Sequence, residues 1–337
     1  MAVALTPHVQ PGPHPDDVPR PIVARATGGD RVFRGILRSA GLAVLLITLM
    51  ILIFLILRSS SAFQRAGFGF FTTASFQPET SNQFGIAALL PDSALIAVIA
   101  LTIAVPTGVA TALYISEYAP HAIKRPLIAV IDLMAAIPSI IYALWGLFWL
   151  MPRILGFDKW LSHHASFIPV FRFTKTDTIG NYVGAMFIAA IVVSLMVIPI
   201  VTSLSRQVFS QAPQGEREAA FALGSTRWGM VRTVVLPFGR AGIIGASMLG
   251  LGRALGETIA VTFILTPLTY AFSIHILEGG GNSITAEIAN FYTQYDAKGV
   301  AALLACGLVL FVSTLIINSL ASIVISRSRS GALTAAD

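Results

Sequence analysis

Charge and cysteine are both scarce in this chain. Aspartate, glutamate, lysine and arginine together make up 11% of its 337 residues, against roughly 25% in soluble domains. The one cysteine, Cys306, excludes an intrachain disulfide and argues against a thiolate metal site. The chain also has no Gly-x-x-x-x-Gly-Lys-Ser/Thr loop, no His-Glu-x-x-His and no Gly-x-Ser-x-Gly. It therefore lacks the motifs of a nucleotide hydrolase, a zinc protease and a serine hydrolase.

Apolar residues, in contrast, make up 55% of the chain. Only helices and closed barrels satisfy their backbone inside lipid, and a barrel would show short alternating segments instead of long apolar runs. The sequence therefore predicts an all-α polytopic membrane protein. A span needs about 20 apolar residues to cross about 30 Å of hydrocarbon. The predicted spans are residues 40–57, 93–115, 127–150, 182–204, 239–265 and 300–325.

The chain ends and the positive charges predict an orientation. Residues 1–35 lack apolar periodicity and are typical of a disordered tail, which leaves a membrane domain over 36–330 and a short tail at 331–337. With the tails inside, the inner segments carry fourteen Lys and Arg and the outer segments seven. This bias predicts cytoplasmic termini, an uncleaved first span and a cytoplasmic loop at 207–238. The formal net charge of +6 then needs no nucleic-acid partner.

The predicted cytoplasmic loop favours a helix–turn–helix elbow. Residues 214–223 form an amphipathic pattern with acidic residues in the first turns, where the helix dipole favours them. Gly224 can end that helix in a left-handed conformation, and Ser225 can N-cap a second helix that runs toward Leu236. Pro237 is expected to separate that helix from the fifth span. The first helix offers a partner three small side chains, on Ala219, Ala220 and Ala222.

The loop carries a signature that resembles the permease subunits of ABC-type importers. In that family the motif reads Glu-Ala-Ala, three residues, Gly, nine residues, Ile, one residue and Leu-Pro, and Val234 replaces the isoleucine here. The resemblance implies the type I permease fold with six transmembrane helices, and an elbow that docks in a groove of a separate ATPase subunit. The matching residues, which we expect to couple the two subunits, are Glu218, Ala219, Ala220, Gly224, Leu236 and Pro237.

The fifth predicted span contains two ionisable residues, Arg253 and Glu257, where a bilayer has its centre. Charges there are costly and usually face protein or a water-filled path. Two interpretations stay open. One is a structural i,i+4 ion pair; the other is a guanidinium fork that binds a tetrahedral oxyanion, with Glu257 holding the fork in the empty state. Both residues flank a predicted helix-packing stripe of Gly242, Gly245, Gly252 and Gly256.

Prolines interrupt three predicted spans, at Pro106, Pro138 and Pro199. Each removes one helical hydrogen bond and frees the carbonyl four residues earlier. The interruption at Pro138 has hydroxyls next to it, on Ser139 and Tyr142. A packing kink and a lining of a solute pathway are both compatible with these hydroxyls.

A glycine run, Gly279-Gly280-Gly281-Asn282, lies between the last two predicted spans. Its backbone amides could form an anion-binding nest. Glycine also gives loops their conformational freedom, and a flexible external loop is the interpretation that we favour.

Longer stretches resemble phosphate importer permeases. They are residues 250–261, residues 135–139 with 144–148, and the stretch from Phe70 to Pro78. The resemblance covers roughly residues 70–327. It is closer to the C-type permease (PstC) than to the A-type, chiefly through the stretch before the second predicted span.

This resemblance implies site residues and partners. Arg253 and Glu257 would take part in phosphate passage, and we expect Ser139, Tyr142 and Thr258 beside them. The importer would pair this chain, in the plasma (inner) membrane, with a second, A-type permease, two ATPase subunits that bind ATP and Mg²⁺, and an external phosphate-binding protein. This chain would hold no cofactor or metal of its own. The alternative is an ion-coupled secondary transporter of an anion, which leaves the elbow signature unexplained.

Overall fold

A computed structural model describes residues 28–79, 83–265 and 273–326. Within these residues the protein is built almost entirely from helices, with one antiparallel pair of two-residue strands, β1 (Phe76–Gln77) and β2 (Gln83–Phe84). The chain divides into two compact units, Met1–Ile51 and Leu52–Asp337, and the boundary falls inside the first helix. The packing and the sites described below lie in the second unit.

The described residues form α-helices that are joined or extended by wider turns. In chain order the helices are α1 (Gly28–Ala66), α2 (Gly69–Thr72), α3 (Leu90–Leu113), α4 (His121–Ala136), α5 (Ser139–Trp145), α6 (Met151–His164), α7 (Met186–Ser210), α8 (Gln214–Ala222), α9 (Arg227–Met230), α10 (Leu236–Gly256), α11 (Ile259–Ile264), α12 (Ile284–Phe291) and α13 (Ala297–Ser326). The π-helical turns are Tyr114–Tyr118, Gly146–Leu150 and Val231–Val235, and the 3₁₀ turns are Ile86–Ala88, Pro169–Phe171 and Ile179–Tyr182.

Six helical stretches of the described residues are long and apolar enough to cross a membrane, which confirms the predicted fold class. They are span one (Gly28–Ala66), span two (Leu90–Tyr118), span three (Ser139–His164), span four (Met186–Ser210), span five (Arg227–Gly256) and span six (Ala297–Ile323). The predicted spans overlap these but differ at their ends, because some helices continue into flanking segments and others break inside an apolar run.

Span one begins earlier than predicted. Residues 28–35, predicted as part of a disordered tail, are helical, and Asp30 lies in the first turn, where the helix dipole favours an acid. The other predicted tail residues, 1–27 and 331–337, lie outside the described residues.

The predicted third span, 127–150, is divided at Pro138. Helix α4 ends at Ala136, and span three begins at Ser139. Ile137 between them has extended backbone, with ψ of 127°, because a proline ring disfavours the helical conformation in the residue before it. The proline therefore causes a full break in the helix rather than a mild kink.

Spans two and four approach closely at the centre of the fold, along a stripe of small residues on span two. The stripe recurs every three or four residues and is buried throughout, at Ala97, Ala100, Ala104, Gly108 and Ala112. A Cβ added to Gly108 would lie 2.9 Å from the side chain of Val201 and 3.3 Å from the carbonyl oxygen of Ile198. Interfaces of small residues allow such close approach between helices in membranes.

The glycine stripe predicted on span five does not form a single seam. A Cβ on Gly242 would lie 2.4 Å from Val208 of span four, whereas one on Gly252 would lie 3.5 Å from Asn318 of span six. Gly256 has open space around it. Span five contacts both neighbouring spans, so one stripe meets different helices along its length.

Glycines outside the predicted stripe also pack tightly on span four. A Cβ on Gly239 would lie 2.5 Å from the ring of Phe209, and one on Gly250 would lie 2.7 Å from Val197. Gly245, from the predicted stripe, is buried as well. Span five is therefore held against span four along most of its length.

The glycine run between spans five and six is buried, so the prediction that this loop is flexible is wrong. A Cβ on Gly279 would lie 2.2 Å from the carbonyl oxygen of Val183, and Gly280 has φ of +111°. Both positions therefore need glycine. The N–H of Asn282, at the end of the run, already donates to the carboxylate of Asp92 at 3.1 Å. It is not free to bind an external anion.

We expect Gly108→Leu to destabilise the protein. The added side chain would have to displace Val201 and the Ile198 carbonyl, and overpacking of this kind costs about 1–3 kcal/mol. Gly41→Leu is the matched control, because Gly41 has nothing within 4 Å. Thermal unfolding of both variants in one detergent gives the comparison. Equal melting temperatures would contradict the close packing of spans two and four.

Candidate functional site

Span five ends inside the region predicted as one continuous helix. Helix α10 stops at Gly256, Glu257 has extended backbone with ψ of 119°, and α11 starts at Ile259. Among the described residues, no ion pair joins Glu257 to Arg253. Both interpretations that placed Glu257 against Arg253 need helical geometry through residue 257. The helix ends at Gly256, so the placement of Glu257 against Arg253 is wrong in both interpretations.

Hydroxyl groups satisfy the backbone at this first break. Thr285 of α12 donates to the carbonyl oxygen of Glu257 at 2.8 Å, and Thr258 donates to the carbonyl oxygen of Gly256 at 3.2 Å. Carbonyls at the end of a helix have no partner within the helix and need one elsewhere. The Glu257 carboxylate is buried and accepts from the N–H of Ala260 at 3.4 Å. It therefore lies against the start of α11.

Arg253 is exposed in this chain. No described residue forms an ion pair with its guanidinium. A charge within a membrane span is normally turned toward protein or a water-filled path. This guanidinium is therefore open to a solute or to a partner subunit.

A second helix break lies at Pro138, between α4 and α5. Pro138 has no N–H for the carbonyl of Met134, and the Tyr142 hydroxyl donates to that carbonyl at 3.0 Å. The hydroxyl thus stabilises the break, in agreement with a structural role. Ser139 is the first residue of α5 and is half-buried. Since α5 packs against α11, the two breaks are neighbours.

A cavity of about 320 Å³ opens beside the second break. Its walls are mostly apolar and are formed by Met134, Ile137, Ile141, Tyr142, Trp145 and Leu195. Moving an anion from water into apolar surroundings is unfavourable. The cavity is therefore unfavourable for a charged solute.

The first half of the elbow has the predicted structure. Helix α8 covers Gln214–Ala222, and Gly224 is left-handed, with φ of +81°. The N–H groups of Gly224 and Ser225 donate to the carbonyls of Phe221 and Ala220, at 2.9 and 3.1 Å. This is the Schellman arrangement that ends helices at a left-handed glycine.

The second half of the elbow differs from the prediction. Thr226, not Ser225, N-caps the next helix and accepts a backbone N–H at 3.1 Å. Ser225 belongs to the preceding Schellman motif through its N–H. That helix continues as Arg227–Gly256 without interruption. Leu236 and Pro237 therefore lie within span five. A π-helical turn just before them accommodates the proline, so Pro237 does not separate the elbow from the span.

The exposed surface of the elbow includes large apolar side chains. Leu223 is 89% exposed and Trp228 is 57% exposed, and Ala219 and Ala222 also face outward. Ala220, expected on the partner surface, is buried inside the chain. Its face of α8 packs against an apolar cluster formed with the start of span five.

Two charged residues near the elbow, Arg217 and Glu117, were not among the predicted site residues. Glu218, in the signature, is exposed and accepts from Gln214 at 3.1 Å. Its neighbour Arg217 instead donates from Nη1 to Oε2 of Glu117, at the end of span two, at 3.0 Å. An acid at the end of one apolar run and a base in the predicted cytoplasmic loop 207–238 were the available signal. The sequence does not show that they meet.

Comparisons with known proteins place the chain in a family. Residues 104–330 match the family described as the binding-protein-dependent transport system inner membrane component. The chain is 38% identical over 299 residues to the phosphate transport system permease protein PstC 2 of Mycobacterium tuberculosis, with 88% of this chain and 91% of that protein covered. It is 34% identical over 314 residues to the phosphate transport system permease protein PstC of Mesorhizobium japonicum, with 90% and 92% covered.

Solved structures share the fold. A bacterial ABC transporter involved in the import of the acidic polysaccharide alginate has a TM-score of 0.53 at 19% identity, with 88% of this chain and 99% of that chain covered. The inward-facing MetNI methionine ABC transporter has a TM-score of 0.50 at 16% identity, with 69% and 91% covered. Because the family match extends over more than half of the sequence, this chain belongs to the inner membrane components of binding-protein-dependent transport systems.

Proposed function

We propose that this protein is the transmembrane permease subunit of an ATP-driven importer of inorganic phosphate. The observation that carries the proposal is the position of Arg253. Its guanidinium is exposed beside two helix breaks, on the same helix that begins in the elbow. Relatives with 34% and 38% identity over most of the chain are phosphate transport system permease proteins. A solute-facing arginine and an elbow joined by one helix are what an ATP-driven anion permease needs.

Arg253 suits an oxyanion for two physical reasons. Its planar fork of N–H donors matches two oxygens of a tetrahedral anion, and its weak hydration lowers the cost of removing water. Glu257 lies against α11 and does not neutralise it. Transporters place solute sites at broken helices, where freed backbone groups line a path. Ser139 and Thr258 add hydroxyls at the two breaks.

One arginine does not balance the charge of a phosphate dianion. Arg253 is exposed in the isolated chain, so a second permease of the A-type can contribute further cationic or hydroxyl groups across from it. The solute site is then complete only in the pair of permeases.

In this proposal the elbow transmits the energy of ATP hydrolysis to the membrane spans. The chain has no phosphate-binding loop, so ATP and Mg²⁺ bind to two partner ATPase subunits. Burial of an exposed side chain such as Leu223 or Trp228 against an ATPase is worth about 1.5–3 kcal/mol. From Arg227 to Arg253 span five is unbroken, a distance of roughly 39 Å at 1.5 Å per residue. Movement of the elbow therefore reaches the solute site directly.

The orientation follows from the distribution of charge. With both termini and the elbow in the cytoplasm, the inner segments carry fourteen Lys and Arg and the outer segments seven. An external phosphate-binding protein then delivers the solute to the opposite face of the plasma (inner) membrane. No cofactor is assigned to this chain.

We expect Arg253→Gln to lower the initial rate of phosphate uptake by about tenfold or more. The reason is that a hydrogen bond to a charged group is worth about 1.5–3 kcal/mol. Arg253→Lys keeps the charge without the fork and should give an intermediate rate. Uptake of radiolabelled phosphate by the reconstituted complex measures the effect. Arg240→Gln, at an exposed position on the same span, is the matched control.

Subunit composition must be checked in the same preparations. Wild-type uptake by Arg253→Gln, in a complex with all its subunits, would contradict the role of the arginine in solute passage.

We expect Leu223→Asp to detach the ATPase subunits. The side chain is 89% exposed in this chain, so the substitution should leave the fold intact while placing a charge in an apolar docking surface. Co-purification of the ATPase with the tagged permease measures docking, and the melting temperature of the permease alone serves as the control. An ATPase that remains bound with wild-type stoichiometry would refute the docking surface.

A further inference from the structure

Three elements meet at one arginine near the elbow. Arg217 of α8 donates from Nη1 to Oε2 of Glu117 at 3.0 Å, and from Nη2 to the carbonyl oxygen of Phe209. Glu117 belongs to the end of span two, and Phe209 belongs to the end of span four. One side chain therefore links α8 to two membrane spans. We call this contact the elbow joint.

The elbow joint is a largely desolvated ion pair. The side chain of Glu117 is 5% exposed and that of Arg217 is 21% exposed. The second carboxylate oxygen of Glu117 accepts from the hydroxyl of Ser116 at 3.0 Å, so both of its oxygens have donors. Exposed ion pairs contribute little to stability, but separating a buried pair leaves an uncompensated charge and is strongly unfavourable. Movements of the elbow should therefore keep this pair intact.

The backbone of span two is adapted to present Glu117. The residue lies in the π-helical turn Tyr114–Tyr118, closed by the N–H of Ala119 donating to the carbonyl of Tyr114 at 2.7 Å. Such wider turns often occur at functional sites, because they redirect the side chains that follow. Tyr118 lies in the same turn, and the guanidinium of Arg227 lies 5.6 Å from the centroid of its ring. The start of span five thus contacts the same turn.

An apolar cluster lies beneath the elbow joint and joins the same elements. Span two contributes Ala112, span four contributes Phe209, and α8 contributes Ala220, all buried. The first turns of span five add Met230 and Val231. Buried apolar groups from all four elements resist separation as the ion pair does. The elbow and the adjoining ends of spans two, four and five form one packed body.

We propose that the Glu117–Arg217 pair is the joint that transmits elbow movement to spans two and four together with span five. The inference rests on the proposed importer function and specifies which helices the ATPase moves. Without the joint, α8 would keep its apolar contacts but would lose its hydrogen-bonded link to spans two and four. Arg217 and Glu117 are positioning residues in this account, since neither touches the solute.

Replacing the ion pair by a removable tether tests the joint. The chain offers a clean background, because its one cysteine, Cys306, is fully buried. In Glu117→Cys/Arg217→Cys no charge is left unpaired, but the hydrogen-bonded link from α8 to spans two and four is lost. We therefore expect phosphate uptake to fall about tenfold or more while the ATPase stays bound and active. A short bis-methanethiosulfonate reagent that links the two thiols should restore most of the uptake, and dithiothreitol should abolish it again.

The controls for the tether are the two single cysteine variants and the wild-type chain, each treated with the same reagent. Wild-type uptake by the unlinked double variant would overturn the proposal. So would a linked variant that stays inactive, because a joint that must open during the cycle would be blocked by the link.

A second measurement does not depend on phosphate. Residues in one rigid body open together, so their amides exchange with solvent at the same free energy. In the whole complex, Arg217→Gln should deprotect residues 114–118 and 214–222 by the same factor in hydrogen–deuterium exchange. Deprotection of 214–222 alone would overturn the joint. If the wild-type complex imports no phosphate while Arg217→Gln still shows this shared deprotection, the proposed function fails and the joint stands.

Discussion

The structure depends on one constraint, which is that backbone polar groups inside a bilayer need partners within the protein. Two helices break in the membrane region, and each break is closed by a hydroxyl from another segment. Tyr142 donates to the carbonyl of Met134, and Thr285 donates to the carbonyl of Glu257. The breaks can therefore exist without exposing unsatisfied backbone. The break after Gly256 also separates Arg253 from Glu257, which a continuous helix would have placed one turn away.

The segment that closes the break after Gly256 is itself held by buried polar contacts. Asn282, just before α12, donates its backbone N–H to Asp92 and its side-chain amide to Glu287, at 3.1 and 2.6 Å. Asp92 lies in the first turn of span two, and Glu117 lies in its last turn. Span two thus contacts the segment that closes the break through its first turn, and it contacts the elbow through its last turn. The two regions important for the proposed function are connected through one helix and through span five.

Local features of the sequence were sufficient to predict that there are six spans, and to predict the end of α8 and the left-handed Gly224. Apolar runs and glycine caps act over a few residues, so the sequence displays them directly. The break after Gly256 was not predicted, because its closing donor, Thr285, comes from a distant segment. The burial of Ala220 depends on span five. The Glu117–Arg217 pair joins residues one hundred positions apart, and no local pattern reports such a contact.

The separation of Glu257 from Arg253 changes what the solute site needs. An arginine with an internal counter-charge can release an anion by exchanging it for the carboxylate, as an ion-coupled carrier would. Here the carboxylate faces the N–H of Ala260, so the guanidinium has no such exchange partner among the described residues. A bound anion would then be held until the surroundings of the arginine change. Because span five is unbroken from the elbow to Arg253, the elbow can impose that change. Energy from a separate ATPase therefore fits this site better than coupling to an ion gradient.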